Sequence, residues 1–151
     1  MDRTHFKHRH QIRVRNYEID WQGIVHNANY LLYCEVGRVE YLKHIGASVD
    51  LNSINGPGKV VLVRNEIDYR SPALFNEDLT VLTRVASIRN TSFTMEGLVL
   101  HPSGKTIVEN VAFHVWLDPS SDRPMRVPDD FRQLVRNYEG PNCTFFESSA
   151  T

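Results

Sequence analysis

With 151 residues, 41% of them hydrophobic and 23% charged, the chain has the length and balance of one globular domain with its own core. Seventeen Lys and Arg stand against eighteen Asp and Glu, and a formal charge of −1 excludes the strong field of a nucleic-acid or anionic-membrane binder. The longest aliphatic run, Val60-Val61-Leu62-Val63, is far too short to span a bilayer.

The charge is unevenly placed. Residues 1–16 carry Arg3, Lys7, Arg9, Arg13 and Arg15 with His5, His8 and His10, against Asp2 alone. Such a segment reads as a solvated basic terminus, or as a phosphate contact should a phosphate-bearing ligand emerge. Cys34 and Cys143 form no C-x-x-C pair, so neither a disulfide framework nor a zinc site is expected, and a reducing cytoplasm is. The N-terminus lacks the apolar stretch of a secretory signal.

Ile12–Tyr17 alternates and predicts a strand, followed by a turn-rich stretch from Glu18 to Asn27. From Ala28 the period becomes helical: Ala28, Leu31, Leu32, Glu35, Val39, Leu42 and Gly46 share a stripe roughly 100° wide. Asn27 suits the N-cap and Gly46 the stop after Ile45. Tyr30, Tyr33 and Tyr41 on a second face predict contact on more than one side. Beyond Gly56-Pro57-Gly58 the pattern is strand-like over Lys59–Arg70, Asp78–Ile88, Ser92–Leu100 and Lys105–Leu117. Short turns join the last three into an antiparallel meander. A Pro-containing loop then leads to a helix over Asp129–Tyr138. The expected division is a single domain over 1–138 and a tail over 139–151, docked or frayed. One long helix against an antiparallel sheet is an α+β fold.

Chemistry concentrates between Tyr17 and Tyr30. Asp20 sits in a loop that contains Gly23 and runs into a helix start. The first helical turn offers backbone N–H groups without internal partners and a partial positive charge, suited to polarising a carbonyl and holding its oxyanion. A carboxylate just ahead of it can serve as nucleophile or as base for a water. Together they suffice for acyl transfer. The competing reading is structural, because Asp and Asn before a helix are ordinary turn and cap residues. Glu35 within the apolar stripe is expected to be paired or neutralised. It is either a buried partner of Arg38 or a second, water-orienting carboxylate. His26 is a candidate base or a cap. No P-loop, dinucleotide fingerprint, nucleophile elbow or H-E-x-x-H zinc motif occurs.

Asp20, Gly23 and Val25 spell a D-x-x-G-x-V signature, with Tyr30, Glu35 and Arg38 in the helix after it. Asp68-Tyr69-Arg70-Ser71-Pro72-Ala73 spells D-Y-x-x-P-A. On these residues the chain resembles the 4-hydroxybenzoyl-CoA thioesterase family of hotdog-fold acyl-CoA thioesterases, over roughly residues 10–135. The resemblance implies an antiparallel sheet wrapped around one long central helix, paired as a homodimer or homotetramer with the site between protomers. It implies hydrolysis of an acyl-CoA, or of an acyl group on acyl carrier protein, without metal or organic cofactor. Asp20 would take the place of the catalytic carboxylate and the N–H near Asn27 that of the carbonyl donor, with Glu35 nearby. Gly23, Val25, His26 and Tyr30 would line the substrate. Arg89, Asn90, Thr91 and Ser92, with Lys59 and Arg64, are the candidates for CoA phosphates. His26 stands one place earlier than the His of relatives that read Tyr-His-Ala-Asn-Tyr. The same fold also serves non-catalytic acyl-CoA or lipid-binding modules and acyl-CoA hydratases or dehydratases.

Overall fold

The structure, a computed structural model, describes residues 1–48 and 58–146; Gly56, Pro57 and the tail beyond Phe146 lie outside the described residues. Strand β1 (His8–Arg13) leads through a loop to helix α1 (Asn27–His44). Strands β2 (Lys59–Tyr69), β3 (Asp78–Ile88), β4 (Ser92–Leu100) and β5 (Thr106–Leu117) follow, then α2 (Asp129–Glu139) and a two-residue β6 (Thr144–Phe145). The sheet order is β1-β3-β4-β5-β2 with antiparallel neighbours, and β6 adds parallel to the end of β3. The meander is therefore the middle of the sheet, with β1 and β2 as its edges. Helix α1 lies across one face against β1, β3, β4 and β5, which is the hotdog arrangement.

The helix is turned about its axis relative to the stripe read from its aliphatic residues. Its buried side carries Tyr30, Tyr33, Cys34, Gly37, Tyr41 and Leu42, while Leu32, Glu35 and Val36 are exposed. Each Tyr ring buries more apolar surface than Leu or Val and keeps a hydroxyl that finds a partner inside. Glu35 accordingly faces water and needs no neutralising partner. Arg38 donates instead to Asn110 Oδ1 at 3.1 Å.

The first strand also differs from its sequence pattern. It starts earlier, at His8, and Asn16–Glu18 closes a 3-10 turn instead of extending it. The Glu18 carboxylate folds back to accept the Arg15 N–H at 2.7 Å, which bends the chain there. The backbone of the basic segment joins the sheet edge over His8–Arg13, while Arg3, Lys7, Arg9, Arg13 and Arg15 stay solvent-exposed. Arg13 pairs with Asp78 at 2.9 Å, and Lys7 donates to the Tyr138 carbonyl at 2.8 Å.

Beneath the first half of α1 lie Val14, Val25, Leu79, Val81, Val99, Ile107 and Val108. Its second half and α2 cover Ile88, Phe93, Met95, Trp116, Phe131 and Val135. Phe93, Trp116 and Phe131 meet with ring centroids 5.1 to 6.1 Å apart, a geometry that adds about 0.5–1.5 kcal/mol per pair beyond burial. The domain continues past 138. Glu139 is fully buried, and the Arg136 and Arg89 guanidinium groups each lie 3.9 Å over the Phe145 and Phe146 rings. The tail is thus docked as far as Phe146. No helix among the described residues is long and apolar enough to cross a membrane.

Burial pushes the Glu139 carboxyl up, more than the hydrogen bonds from the Tyr41 hydroxyl and the Val85 N–H draw it down. A carboxyl raised in this way stabilises the fold fully below its unfolded pKa of about 4.3 and loses that contribution as pH rises through the folded value. Glu139→Gln keeps an acceptor without the charge. Relative to the wild type, its melting temperature should climb as pH goes from 4 to 8, measured by thermal denaturation; a flat difference would refute the charge penalty.

Candidate active site

The loop between β1 and α1 is tied to the helix and to the β2–β3 connection. The Glu18 carbonyl accepts the His26 N–H at 2.9 Å and Asn29 Nδ2 at 2.8 Å, and the Ala73 carbonyl accepts the Val25 N–H at 2.9 Å. Inside the loop, Asp20 donates its N–H to the Ile24 carbonyl at 2.8 Å, and its carbonyl accepts the Gly23 N–H at 3.0 Å. That tight turn requires φ of +82° at Gly23, which glycine adopts without a Cβ penalty. It brings Asp20 and the start of α1 onto one pocket of about 460 Å³. Ile24, Val25, His26, Asn27, Tyr30, Tyr69, Arg70, Ser71 and Pro72 complete the lining.

Asp20 is half-buried. Its Oδ1 accepts the Gln22 N–H at 2.7 Å, and its Oδ2 makes no hydrogen bond among the described residues. His26, not Asn27, is the N-cap of α1, with Nδ1 accepting the Ala28 N–H at 3.2 Å. The helix starts at Asn27, whose own N–H has no partner among the described residues. Tyr30 stands on the buried side of the pocket, and its hydroxyl accepts the Ala73 N–H at 3.0 Å. Burial holds that phenol above its ordinary pKa. Tyr69 reaches over from β2 and donates to the Asn27 carbonyl at 3.3 Å.

Asp20, Val25, His26, Asn27 and Tyr30 therefore converge, and Gly23 shapes the turn without lining the pocket. Glu35 does not join them. It lies two turns along α1, about 12 Å from Asn27 by helical rise, in an outer groove with Leu32, Val36, Val39 and Glu40. The Arg89–Ser92 turn is also remote within the protomer. Ser92 pairs with Val115 on β5 and Tyr69 with Val108, a separation of about 23 Å along the strand. Arg89 is stacked on Phe146, Thr91 is buried, Lys59 pairs with Asp122, and Arg64 pairs with Glu66.

Two parts of the site carried no role in the sequence reading. Tyr69 to Pro72 were visible as D-Y-x-x-P-A but had no assigned place, because only the sheet register carries the end of β2 to the helix start. Glu18 looked like any loop acid.

A model of the thioesterase-like superfamily matches residues 14–135. The chain belongs to that superfamily. It is a thioester hydrolase of the hotdog fold, and solved and curated relatives agree across most of its length. A structure of a thioesterase from Thermus thermophilus, complexed with coenzyme A and Zn, superposes with a TM-score of 0.77 at 30% identity, covering 89% of this chain and 96% of that one. The chloroplastic acyl-acyl carrier protein thioesterase ATL2 of Arabidopsis thaliana is 31% identical, over 87% of this chain and 70% of its own. The long-chain acyl-CoA thioesterase FadM of Escherichia coli is 25% identical, over 83% of this chain and 94% of its own.

The capping geometry has a direct consequence for this thioesterase. His26→Ala removes the side-chain acceptor from the Ala28 N–H and should destabilise the fold by about 0.5–2 kcal/mol, whereas His26→Asn should cost little. Urea denaturation of the three proteins checks this; equal stability of all three would mean that the cap carries no energy.

Proposed function

We propose that the protein hydrolyses acyl-CoA thioesters in the pocket at the start of α1, with Asp20 as the reacting carboxylate and the Asn27 N–H as the oxyanion donor. One observation carries this reading: Asp20, with a half-buried side chain whose Oδ2 makes no hydrogen bond among the described residues, and Asn27, whose N–H makes none there either, line the same cavity. A thioester oxygen set against that N–H gains a hydrogen bond that strengthens as negative charge develops on it. Asp20 then either attacks the carbonyl carbon, giving an anhydride that water opens, or takes a proton from an attacking water. In both routes the C–S bond breaks and CoA leaves as a thiolate, so no strong acid is needed. Neither route uses a metal or an organic cofactor.

The long-chain acyl-CoA thioesterase FadM among the relatives supports a long acyl chain over the 4-hydroxybenzoyl group of the branch whose signature this chain resembles. Acyl carrier protein as the carrier is the second reading, favoured by the relative from Arabidopsis. Buried, unpaired Cys34 and Cys143 support a reducing cytoplasm.

The assembly we favour is a homodimer along β2. That edge is eleven residues long and exposes Val63 and Tyr69. An unpaired edge of this kind is a template for a second copy. Pairing it antiparallel would carry the Arg89–Ser92 turn and Lys59 of the second copy towards the Tyr69 end of the first. CoA phosphates would then be held across the interface. Val63→Lys, on the exposed side of β2, should shift sedimentation towards monomer and lower activity; a fully active monomer would overturn the shared site.

Free-thiol release across acyl-CoAs of varied length, with 4-hydroxybenzoyl-CoA included and a chelator present, tests the chemistry. Asp20→Asn should lower kcat by about 10²-fold or more with folding and acyl-CoA binding retained. Normal turnover in that variant, or enoyl-CoA hydration with no thiol released, would overturn the hydrolase reading as written.

A further inference from the structure

We propose that Glu18 is a positioning residue, whose buried carboxylate and backbone carbonyl together lock the Asp20 loop onto the start of α1. The proposal rests on the reading of Asp20 as the reacting carboxylate. Glu18 is only 5% exposed, yet every acceptor it owns is used. Oε1 accepts the Arg15 N–H at 2.7 Å and the Tyr33 hydroxyl at 3.0 Å. Oε2 accepts Arg15 Nη2 at 2.8 Å and Nε at 3.2 Å. The carbonyl of the same residue takes the N–H of the cap residue His26 and the Asn29 amide.

These bonds reach two different parts of one helix. Tyr33 belongs to the buried face of α1, in the turn after the first, and so the carboxylate is fixed to the body of the helix. His26 and Asn29 belong to its end, and the carbonyl is fixed there. The chain leaves Glu18, turns at Asp20 to Gly23, and returns to the Glu18 carbonyl at His26. Asp20 is two residues from one anchor, and the Asn27 N–H is one residue from the other. Together with the Asp20–Ile24 and Val25–Ala73 backbone bonds, Glu18 thereby fixes where the Asp20 loop stands relative to the helix start.

Burial pushes the Glu18 carboxyl up, and the hydrogen bonds from Arg15 and Tyr33 outweigh it, holding the group below the usual carboxylate range. It is ionised at neutral pH, and its bonds are of the stronger, charge-assisted kind. An apolar side chain would fill the same volume without the cost of desolvating a charge. What the carboxylate adds is direction. Catalytic geometry is sensitive on that scale, because a displacement of about 1 Å can cost about 10²-fold in rate.

The test is a double-mutant cycle read by thiol release, with kcat and KM measured well below each variant's melting temperature. Glu18→Ala should lower kcat by about 10- to 100-fold with KM nearly unchanged. Glu18→Gln, which retains an acceptor for the Arg15 N–H and Tyr33, should recover most of that loss. In an Asp20→Asn background, Glu18→Ala should cost little more, because no carboxylate is left to position. An equal fold-loss in both backgrounds, or a loss in KM alone, would overturn the proposal and leave Glu18 as a fold residue. If Glu18→Ala does not fold, Tyr33→Phe and Arg15→Ala each remove one anchor and run the same cycle. Normal turnover in Asp20→Asn alone would instead locate the error in the catalytic assignment, and the positioning role would fall with it.

Discussion

At Gly37 the axis of α1 passes so near β3 that an added Cβ would stand 2.5 Å from Val81 Cγ1 and 2.7 Å from Thr83 Oγ1. Overpacking of that kind costs about 1–3 kcal/mol and is relieved by lifting the helix. The seat of the helix decides what its first two turns can reach. Tyr30 meets the Ala73 N–H on the β2–β3 connection, and Tyr33 meets the Glu18 carboxylate on the loop. Raising the axis would lengthen both contacts together. The pocket at the helix start therefore depends on packing in the middle of the helix, well along α1 from the residues that line it.

The strands β2 to β5 were legible almost to the residue, because each alternates over nine to twelve positions and is bounded by Gly, Pro or Asn. The span of α1 was legible for the same kind of reason, and its orientation was not. Counting aliphatic side chains put Leu32, Glu35 and Val39 inside, whereas the sheet is met by Tyr30, Tyr33 and Tyr41. Tyrosine scores as amphipathic in any simple pattern, and its burial depends on a partner for the hydroxyl that lies far away in sequence. The first strand failed for a related reason. Local alternation over Ile12–Tyr17 was overridden by the Glu18 carboxylate, which bends the chain at Arg15.

The site divides along the same line. Asp20, Gly23, Val25 and Tyr30 were visible because they stand at fixed spacing on a contiguous stretch. Glu18 and Glu139 were not, since a buried acid and a surface acid are the same letter. Each is tied to α1 by a tyrosine distant in sequence, Tyr33 for Glu18 and Tyr41 for Glu139. The two pairs differ in charge balance. Glu18 has the Arg15 guanidinium against it and stays ionised, whereas Glu139 has hydrogen-bond donors but no ion pair among the described residues, and burial raises its pKa.

The cap of α1 decides which donor the pocket receives. A helix start exposes four backbone N–H groups, and a pocket that received all of them would bind any anion. Here the His26 ring accepts the Ala28 N–H and the His26 carbonyl accepts that of Asn29. Of the first three, only the Asn27 N–H has no partner among the described residues, and Asn27 lines the pocket together with Asp20. The partial positive charge of the helix end favours negative charge developing on a carbonyl oxygen placed against it. The thiolate of a thioester departs readily and attack on the carbonyl is the difficult step, so under the proposed assignment a donor beside a carboxylate would act on that step.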